Sequence, residues 1–166
     1  MPIIELKNVS KSYRMGSHSI PAIVDISLTV KEGELIAITG PSGSGKSTLL
    51  HLIGCLDTPD TGHVKICGFE ISSSSRAELA NLRRLYIGFV FQSFNLLPKF
   101  NVLDNIALPL AYSGVRIRER IERAREIARL VGLEERLNHF PSQLRGGQAQ
   151  RVAIARALIH NPALLL

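Results

Sequence analysis

The sequence has few features of secreted, membrane-spanning or metal-binding proteins. It starts without a basic segment followed by an apolar one, and no apolar run approaches the roughly 20 residues of a membrane span. Its two cysteines, Cys55 and Cys67, have neither the spacing of metal ligands nor a cluster of partner residues. We therefore expect a cytoplasmic protein with reduced, buried or partly buried thiols, without a disulfide or a zinc site.

The chain also lacks the motifs that would explain its basic charge by nucleic-acid binding. Its formal net charge is +6, but no zinc finger, RNA-binding aromatic motif or basic zipper accompanies it. The charge comes mainly from an arginine-rich segment before Gly132, in which apolar residues recur at helical spacing: Ile117, Ile121, Ala124, Ile127 and Val131. This pattern predicts a solvated surface helix with local ion pairs. We expect no nucleic-acid partner.

Composition and apolar patterning predict one α/β domain across residues 1–166. The chain is 45% hydrophobic and 20% charged, which suits a globular domain with a core. Residues 3–9 and the alternating run 24–30 predict antiparallel strands, the second with one wet face. The apolar runs 34–39 and 87–91 predict strands of a parallel core sheet, buried on both faces.

The glycine-rich segment that follows residues 34–39 fits the phosphate-binding pattern G-x-x-x-x-G-K-[ST]. It consists of Gly40, Pro41, Ser42, Gly43, Ser44, Gly45, Lys46, Ser47 and Thr48. Its glycines let the loop turn N–H groups toward phosphate oxygens, and the helix that follows favours an anion at its start. Lys46 would contact the β- and γ-phosphates, Ser47 would bind Mg²⁺, and Thr48 could reach the α-phosphate. A turn without a ligand is the alternative.

Two single residues outside this loop are candidates for the same site. Tyr13, in a predicted loop between the first two strands, could stack on adenine, although ordinary packing is the alternative. Gln92 ends the predicted strand 87–91, and its amide could reach Mg²⁺ or the attacking water. A plain loop glutamine is the alternative there.

The second half of the chain contains three further signals. Ser75 and Glu78 predict a capping box that opens a helix, and a helix over 101–108 is expected to break at Pro109. Residues 94–100 contain large apolar side chains that either pack inward or dock another chain. Gly146 and Gly147 open an apolar, alanine-rich helix whose start is a second potential anion site, with an ordinary helix cap as the alternative.

Together these motifs make the chain resemble the nucleotide-binding domain of an ATP-binding cassette (ABC) transporter. The P-loop, the Q-loop glutamine at Gln92 and the adenine-stacking aromatic at Tyr13 match the family in order and spacing. So does its signature segment, formed by Leu144, Arg145, Gly146, Gly147 and Gln148. Residues 53–57 and 88–98 are similar to the lipoprotein-releasing and macrolide-exporter group of this family.

The resemblance implies a P-loop NTPase fold of ABC type, with a mostly parallel core sheet, an N-terminal antiparallel β subdomain and a helical subdomain. The core would comprise 1–91 and 163–166, and the Q-loop, helical subdomain and signature helix would occupy 92–161. ATP and Mg²⁺ would be the cofactors, with Lys46 and Gln92 catalytic and Ser47 and Gln92 on the metal.

The resemblance also implies partners and a location. A second ATPase subunit would form a head-to-tail dimer with ATP between the P-loop of one copy and the signature of the other. A membrane permease would contact the segment from Phe94 to Phe100. The chain would then lie on the inner face of the cell membrane and power export of a lipophilic or peptide-like substrate.

Two departures from the family pattern stand against this function. Arg145 replaces the usual signature serine, which should weaken closure of the dimer. The sequence stops before the Walker B aspartate and the catalytic glutamate, so a truncated remnant that binds Mg-ATP without hydrolysing it is the alternative. An ABC ATPase of DNA repair is a third reading, but the long coiled-coil insertion that it needs is missing.

Overall fold

A computed structural model of the chain describes residues 1–16 and 18–166. They form two compact units, residues 1–83 and residues 84–166. The division at residues 92 and 161 that the resemblance implies stays a prediction.

The first unit is built on a four-stranded antiparallel sheet. Its strands lie in the order β2-β1-β3-β4 and are β1 (Pro2–Met15), β2 (His18–Lys31), β3 (Thr61–Ile66) and β4 (Phe69–Glu70). Alternate side chains of the inner strands are buried, among them Leu6 of β1 and Val64 of β3. The helix α1 (Lys46–Ile53) buries Leu52 and Ile53. The predicted antiparallel strands are therefore confirmed, as a longer hairpin than the sequence indicated.

A bulge in β2 changes the face of the sheet on which Val24 lies. Val9 pairs with Ile26 but Lys11 pairs with Ile23, so β2 contains one extra residue between these pairs. Asp25 takes a φ of 53° at this point. Val24 is therefore 64% exposed, whereas the strict alternation placed it on the buried side.

The predicted strand at 34–39 does not form. These residues have no regular secondary structure, Leu35 is fully exposed and Ile36 is 49% exposed. A strand requires a neighbour that pairs with its backbone groups, and in the described ranges this segment has no strand beside it. The prediction of a strand buried on both faces is therefore wrong here.

The second unit combines a short parallel pair of strands with a helical cluster. Helix α2 (Arg76–Tyr86) begins in the first unit and ends in the second. The unit's further elements are β5 (Ile87–Gly88), α3 (Val102–Tyr112), α4 (Ile117–Leu130), α5 (Gly146–Leu158) and β6 (Leu164–Leu165), with 3₁₀ turns at Glu134–Arg136 and Pro141–Gln143. Strands β5 and β6 pair in parallel. The predicted strand 87–91 is shorter than expected, and Phe91 is 39% exposed.

Helix α2 begins where the sequence predicts. The amide and hydroxyl of Ser75 both donate to Glu78 Oε2 at 2.7 Å, and the Glu78 amide donates to Ser75 Oγ at 3.3 Å. This reciprocal capping box confirms the predicted helix start.

The sequence predicts that helix α3 breaks at Pro109, but the helix continues past this residue. Proline removes the amide that would bond the Asn105 carbonyl, but Ile106 and Leu110 are both buried on either side of it. Their burial offsets the lost bond, so the helix continues to Tyr112.

The core of the second unit lies between α3, α4 and α5. It includes Ile106, Ala128, Leu133 and Val152, all fully buried. The arginine-rich helix α4 buries Ala124 and Ala128, and on its exposed side Arg123 donates to Glu119 at 2.6 Å. The predicted surface helix with ion pairs is confirmed. No helix within residues 1–16 and 18–166 is long and apolar enough to cross a membrane.

Candidate nucleotide-binding site

The glycine loop has the backbone that its sequence pattern requires. Gly45, immediately before α1, takes a φ of 85°. A Cβ at this position would lie 2.3 Å from the Ala22 carbonyl oxygen and 2.7 Å from Ile23 Cγ2. No residue with a side chain fits there without displacing β2. The loop therefore begins α1 at Lys46 only because position 45 is glycine.

The Lys46 side chain turns back over the loop. Its Nζ donates to the carbonyl oxygens of Gly40 at 2.8 Å and Pro41 at 2.6 Å. Ser47 is exposed and Thr48 half-buried, and the amides in the first turn of a helix have no acceptor within that helix. Ammonium, hydroxyl and helix-start amides thus belong to one short segment, which is the donor set that an anionic phosphate requires.

Tyr13 lies on β1 and not in a loop, which corrects the sequence-based placement. It pairs with Ile20 of β2, because the hairpin extends to Met15 and His18. Its side chain is 39% exposed, and its hydroxyl donates to Asp57 Oδ2 at 3.1 Å. A fixed, partly exposed ring suits the predicted adenine platform, and that role stays a prediction.

A charged cluster next to Tyr13 was missed by the sequence analysis. Lys11 Nζ donates to Asp57 Oδ1 at 3.1 Å and to the Thr58 carbonyl at 2.7 Å, and it lies 3.3 Å from Asp60 Oδ1. Burial acts to raise the pKa of Asp57, but hydrogen bonds from Lys11, the Thr58 amide and Tyr13 outweigh it, so the pKa is lowered. Residues 57–60 contain Pro59 and two aspartates, which are common in turns, but no local signal in the sequence connects them with Lys11.

The cysteines lie in the first unit. Cys55 is fully buried, and burial raises the pKa of its thiol to about 11; Cys67 is half-buried. The predicted burial of both thiols is confirmed. In the described part of the chain, no three His, Cys, Asp or Glu side chains are grouped so that they could hold a metal ion.

Gln92 and the segment after it belong to the second unit. Gln92 is exposed, and Phe94 and Asn95 both take left-handed backbone conformations, with φ of 60° and 45°. The Arg156 guanidinium donates to the Asn95 carbonyl at 2.6 Å and to the Phe94 carbonyl at 2.7 Å. Burial lowers the pKa of Arg156. A side chain of α5 therefore holds the segment that follows Gln92, which sequence reasoning did not anticipate.

The large apolar residues of 94–100 divide between the two expected arrangements. Leu96 packs against the helical core, whereas Leu97 and Phe100 are each 38% exposed. The segment thus packs inward on one side and presents apolar surface on the other.

The predicted signature helix begins as expected, at Gly146. Gln148 Oε1 accepts from the Arg145 amide at 2.8 Å, but arginine has no side-chain acceptor, so the capping box is only half complete. A Cβ on Gly146 or Gly147 would meet nothing within 4 Å, so the helix start is open. Leu144 packs against the core and Arg145 is exposed. The helix buries one face, formed by Ala149, Val152, Ala153, Ala155 and Ala157, whereas Gln150, Arg151 and Leu158 are exposed.

A loop that needs glycine and a helix that starts at the lysine of the loop, within a mixed α/β fold, define a P-loop nucleotide-binding protein. The sequence pattern of the ABC transporter family matches residues 23–166. The chain therefore belongs to the ABC transporter ATP-binding family, and it is the ATP-binding subunit of an ABC transporter.

Individual relatives agree with this assignment. An uncharacterized ABC transporter ATP-binding protein of Thermotoga maritima is 52% identical over 99% of the chain and 70% of the relative. The macrolide export ATP-binding/permease protein MacB of Chlorobaculum tepidum is 49% identical over 98% of the chain and 25% of the relative.

A solved structure is similarly close. The ATP-binding cassette MJ0796 of Methanocaldococcus jannaschii, described as a dimer in a post-hydrolysis state bound to ADP and Pi, gives a TM-score of 0.89 at 48% identity. The match covers 98% of this chain and 72% of that one. The α/β fold of ABC type, with its antiparallel β subdomain and helices, is thereby confirmed.

Proposed function

We propose that this subunit couples ATP binding and hydrolysis to export of a lipophilic or peptide-like substrate through an integral-membrane permease. The observation that carries the proposal is the loop from Gly40 to Lys46, whose backbone, ammonium and following helix suit a nucleoside triphosphate. The similarity to the macrolide export protein supports the direction of transport.

The loop residues and Tyr13 would bind different parts of the nucleotide. Loop amides from Gly40 to Gly45 and the Lys46 ammonium would hold the β- and γ-phosphates, and Tyr13 would stack on adenine. Lys46 must exchange its bonds to two loop carbonyls for bonds to phosphate oxygens, so binding and a change in this side chain are coupled.

Mg²⁺ fits the donors that this chain offers. The Ser47 hydroxyl and the Gln92 side-chain carbonyl are both hard oxygen ligands, and both side chains are exposed. Bound Mg²⁺ would neutralise charge on the phosphates. Gln92 would also orient the attacking water, and it would be a second catalytic residue in addition to Lys46.

The remaining motifs would serve two protein partners. We propose that Leu144, Arg145, Gly146, Gly147 and Gln148 of a second copy close over the nucleotide in a head-to-tail dimer; the open helix start at Gly146 supports this role. The exposed Leu97 and Phe100 would contact the permease, which would bring the subunit to the inner face of the cell membrane.

Calorimetric titration with Mg-ATP tests nucleotide binding. We expect saturable binding that Lys46→Ala abolishes and that Lys7→Ala, which removes an exposed lysine of β1, leaves unchanged. Equal binding by the wild-type chain and Lys46→Ala would refute the site. Phosphate release from the same samples, with and without permease in membranes, tests coupling.

A second function, nucleotide binding without hydrolysis, is favoured by Arg145. A bulky guanidinium stands where the family uses a hydroxyl that donates to the γ-phosphate. This alternative predicts that the wild-type chain binds Mg-ATP but releases no phosphate, and that Arg145→Ser increases nucleotide-dependent dimerisation in light scattering.

A further inference from the structure

We infer that Asp57 is a positioning residue for the nucleotide base: with Lys11 it fixes the ring of Tyr13 so that one face stays available for a purine. The inference rests on the proposed nucleotide site and adds a determinant of base recognition to it. Asp57 touches no nucleotide atom in this scheme, because it acts through Tyr13.

The geometry restrains the tyrosine ring at two points. The Tyr13 hydroxyl donates to Asp57 Oδ2 at 3.1 Å, while Lys11 Nζ lies over the ring, 5.6 Å from its centroid. A hydrogen bond at the hydroxyl fixes the far end of the ring, and a cation over one face leaves the opposite face for stacking. The ring is thus oriented before any base arrives.

Asp57 is itself held rigidly. Its Oδ1 accepts from Lys11 Nζ at 3.1 Å and from the Thr58 amide at 2.8 Å, so both carboxylate oxygens are engaged. Asp60 fixes the other end of the same turn, because its Oδ2 accepts from the Ser12 amide at 2.7 Å. The turn 57–60 is therefore attached to β1 at Tyr13 and at the two residues before it, Lys11 and Ser12.

The experiment compares two probes that share the phosphate chain, Mg-ATP and Mg-tripolyphosphate, the second of which has no base. Removing a carboxylate changes the electrostatic attraction of the protein for both probes. The ratio of the two dissociation constants therefore reports only the contribution of the base to binding, which we call the preference for ATP. We expect Asp57→Ala and Tyr13→Phe each to reduce the preference for ATP by about 3- to 10-fold. Tripolyphosphate affinity should change much less. Glu32→Ala, which removes an exposed carboxylate elsewhere in the first unit, is the control.

A double-mutant cycle separates positioning from a general structural role. In a Tyr13→Ala background, Asp57→Ala should change the preference by less than about twofold, because its effect requires the ring. Asp57→Asn, which keeps one acceptor oxygen, should lie between wild type and Asp57→Ala. Circular dichroism confirms that each variant is folded, and Tyr13→Phe provides the test if Asp57→Ala is not.

Three results would overturn the inference. They are an equal loss for ATP and tripolyphosphate in Asp57→Ala, no loss for either probe, and additive effects in the cycle. A failure of the proposed function looks different, because Lys46→Ala would then leave the binding of both probes intact.

Discussion

The side chain of Asn105 pairs with the backbone of Leu97 through two bonds: Oδ1 accepts from the Leu97 amide at 2.8 Å, and Nδ2 donates to the Leu97 carbonyl at 3.1 Å. Asn105 is fully buried, and its Nδ2 also reaches the carbonyls of Phe100 at 2.9 Å and Asn101 at 3.0 Å. An amide side chain supplies two N–H donors and a carbonyl acceptor together. One buried polar residue therefore fixes the loop before α3.

Replacing Asn105 with alanine should destabilise the second unit strongly. The change leaves the Leu97 amide and the Phe100 carbonyl without this partner and empties a fully buried site, which should lower the free energy of unfolding by about 2–4 kcal/mol. Urea unfolding measures it. Asn101→Ala, which removes only the helix cap on the Asp104 amide, should cost about 1 kcal/mol. A loss for Asn105→Ala no greater than this control would contradict the assigned role.

Arg145→Ser should stabilise the chain even without nucleotide. Arginine at the start of α5 offers no acceptor to the first-turn amides, whereas a serine hydroxyl supplies one, worth about 0.5–1 kcal/mol. Thermal and urea unfolding measure the gain. Arg145→Ala removes the arginine without adding a cap, so it is the control for Arg145→Ser. Equal stability of Arg145→Ser and Arg145→Ala would exclude capping as the cause of the gain.

The contribution of Asp57 to stability should disappear in acid. Its pKa is lower in the folded chain than in the unfolded chain, so its contribution is complete above the unfolded value of about 4 and is lost as pH falls through the folded value. Asp57→Asn should therefore reduce the free energy of unfolding by about 1 kcal/mol at pH 7. The difference should shrink as pH falls below about 4, and urea titrations across this range would show a constant difference if the assignment were incorrect.

Gly45→Ala and Gly43→Ala form a matched pair in the same loop. Both positions have φ near 80°, and that strain alone should cost about 1–2 kcal/mol in either variant. The new methyl group at position 45 also collides with the Ala22 carbonyl, whereas position 43 has open space. Gly45→Ala should therefore lower the free energy of unfolding further, by about another 1 kcal/mol in urea unfolding. Equal losses would mean that the loop moves away from β2 freely.

The features that the sequence predicted correctly depend on neighbours along the chain. The Ser75–Glu78 capping box, the apolar face of α4 and the glycine at position 45 each act within a few residues. The failures involve distant partners. The strand predicted at 34–39 has no paired neighbour among residues 1–16 and 18–166, and packing of Leu110 carries α3 past Pro109.

The candidate site shows the same division. The P-loop was visible as a motif, whereas Lys11 and Asp57 meet across 46 residues of sequence. The contact of Arg156 with Asn95 spans 61 residues. Neither pairing leaves a periodic or compositional signal, so only the folded chain reveals them.

The exposed segment at 34–39 has a practical consequence for work with this protein. Leu35 and Ile36 stand open to water beside backbone groups without a strand partner in the described ranges, so two copies can join there by forming intermolecular β-structure. Solutions of the chain should become turbid as concentration rises. A charged substitution at Leu35 is the simplest way to keep samples clear without touching the phosphate loop.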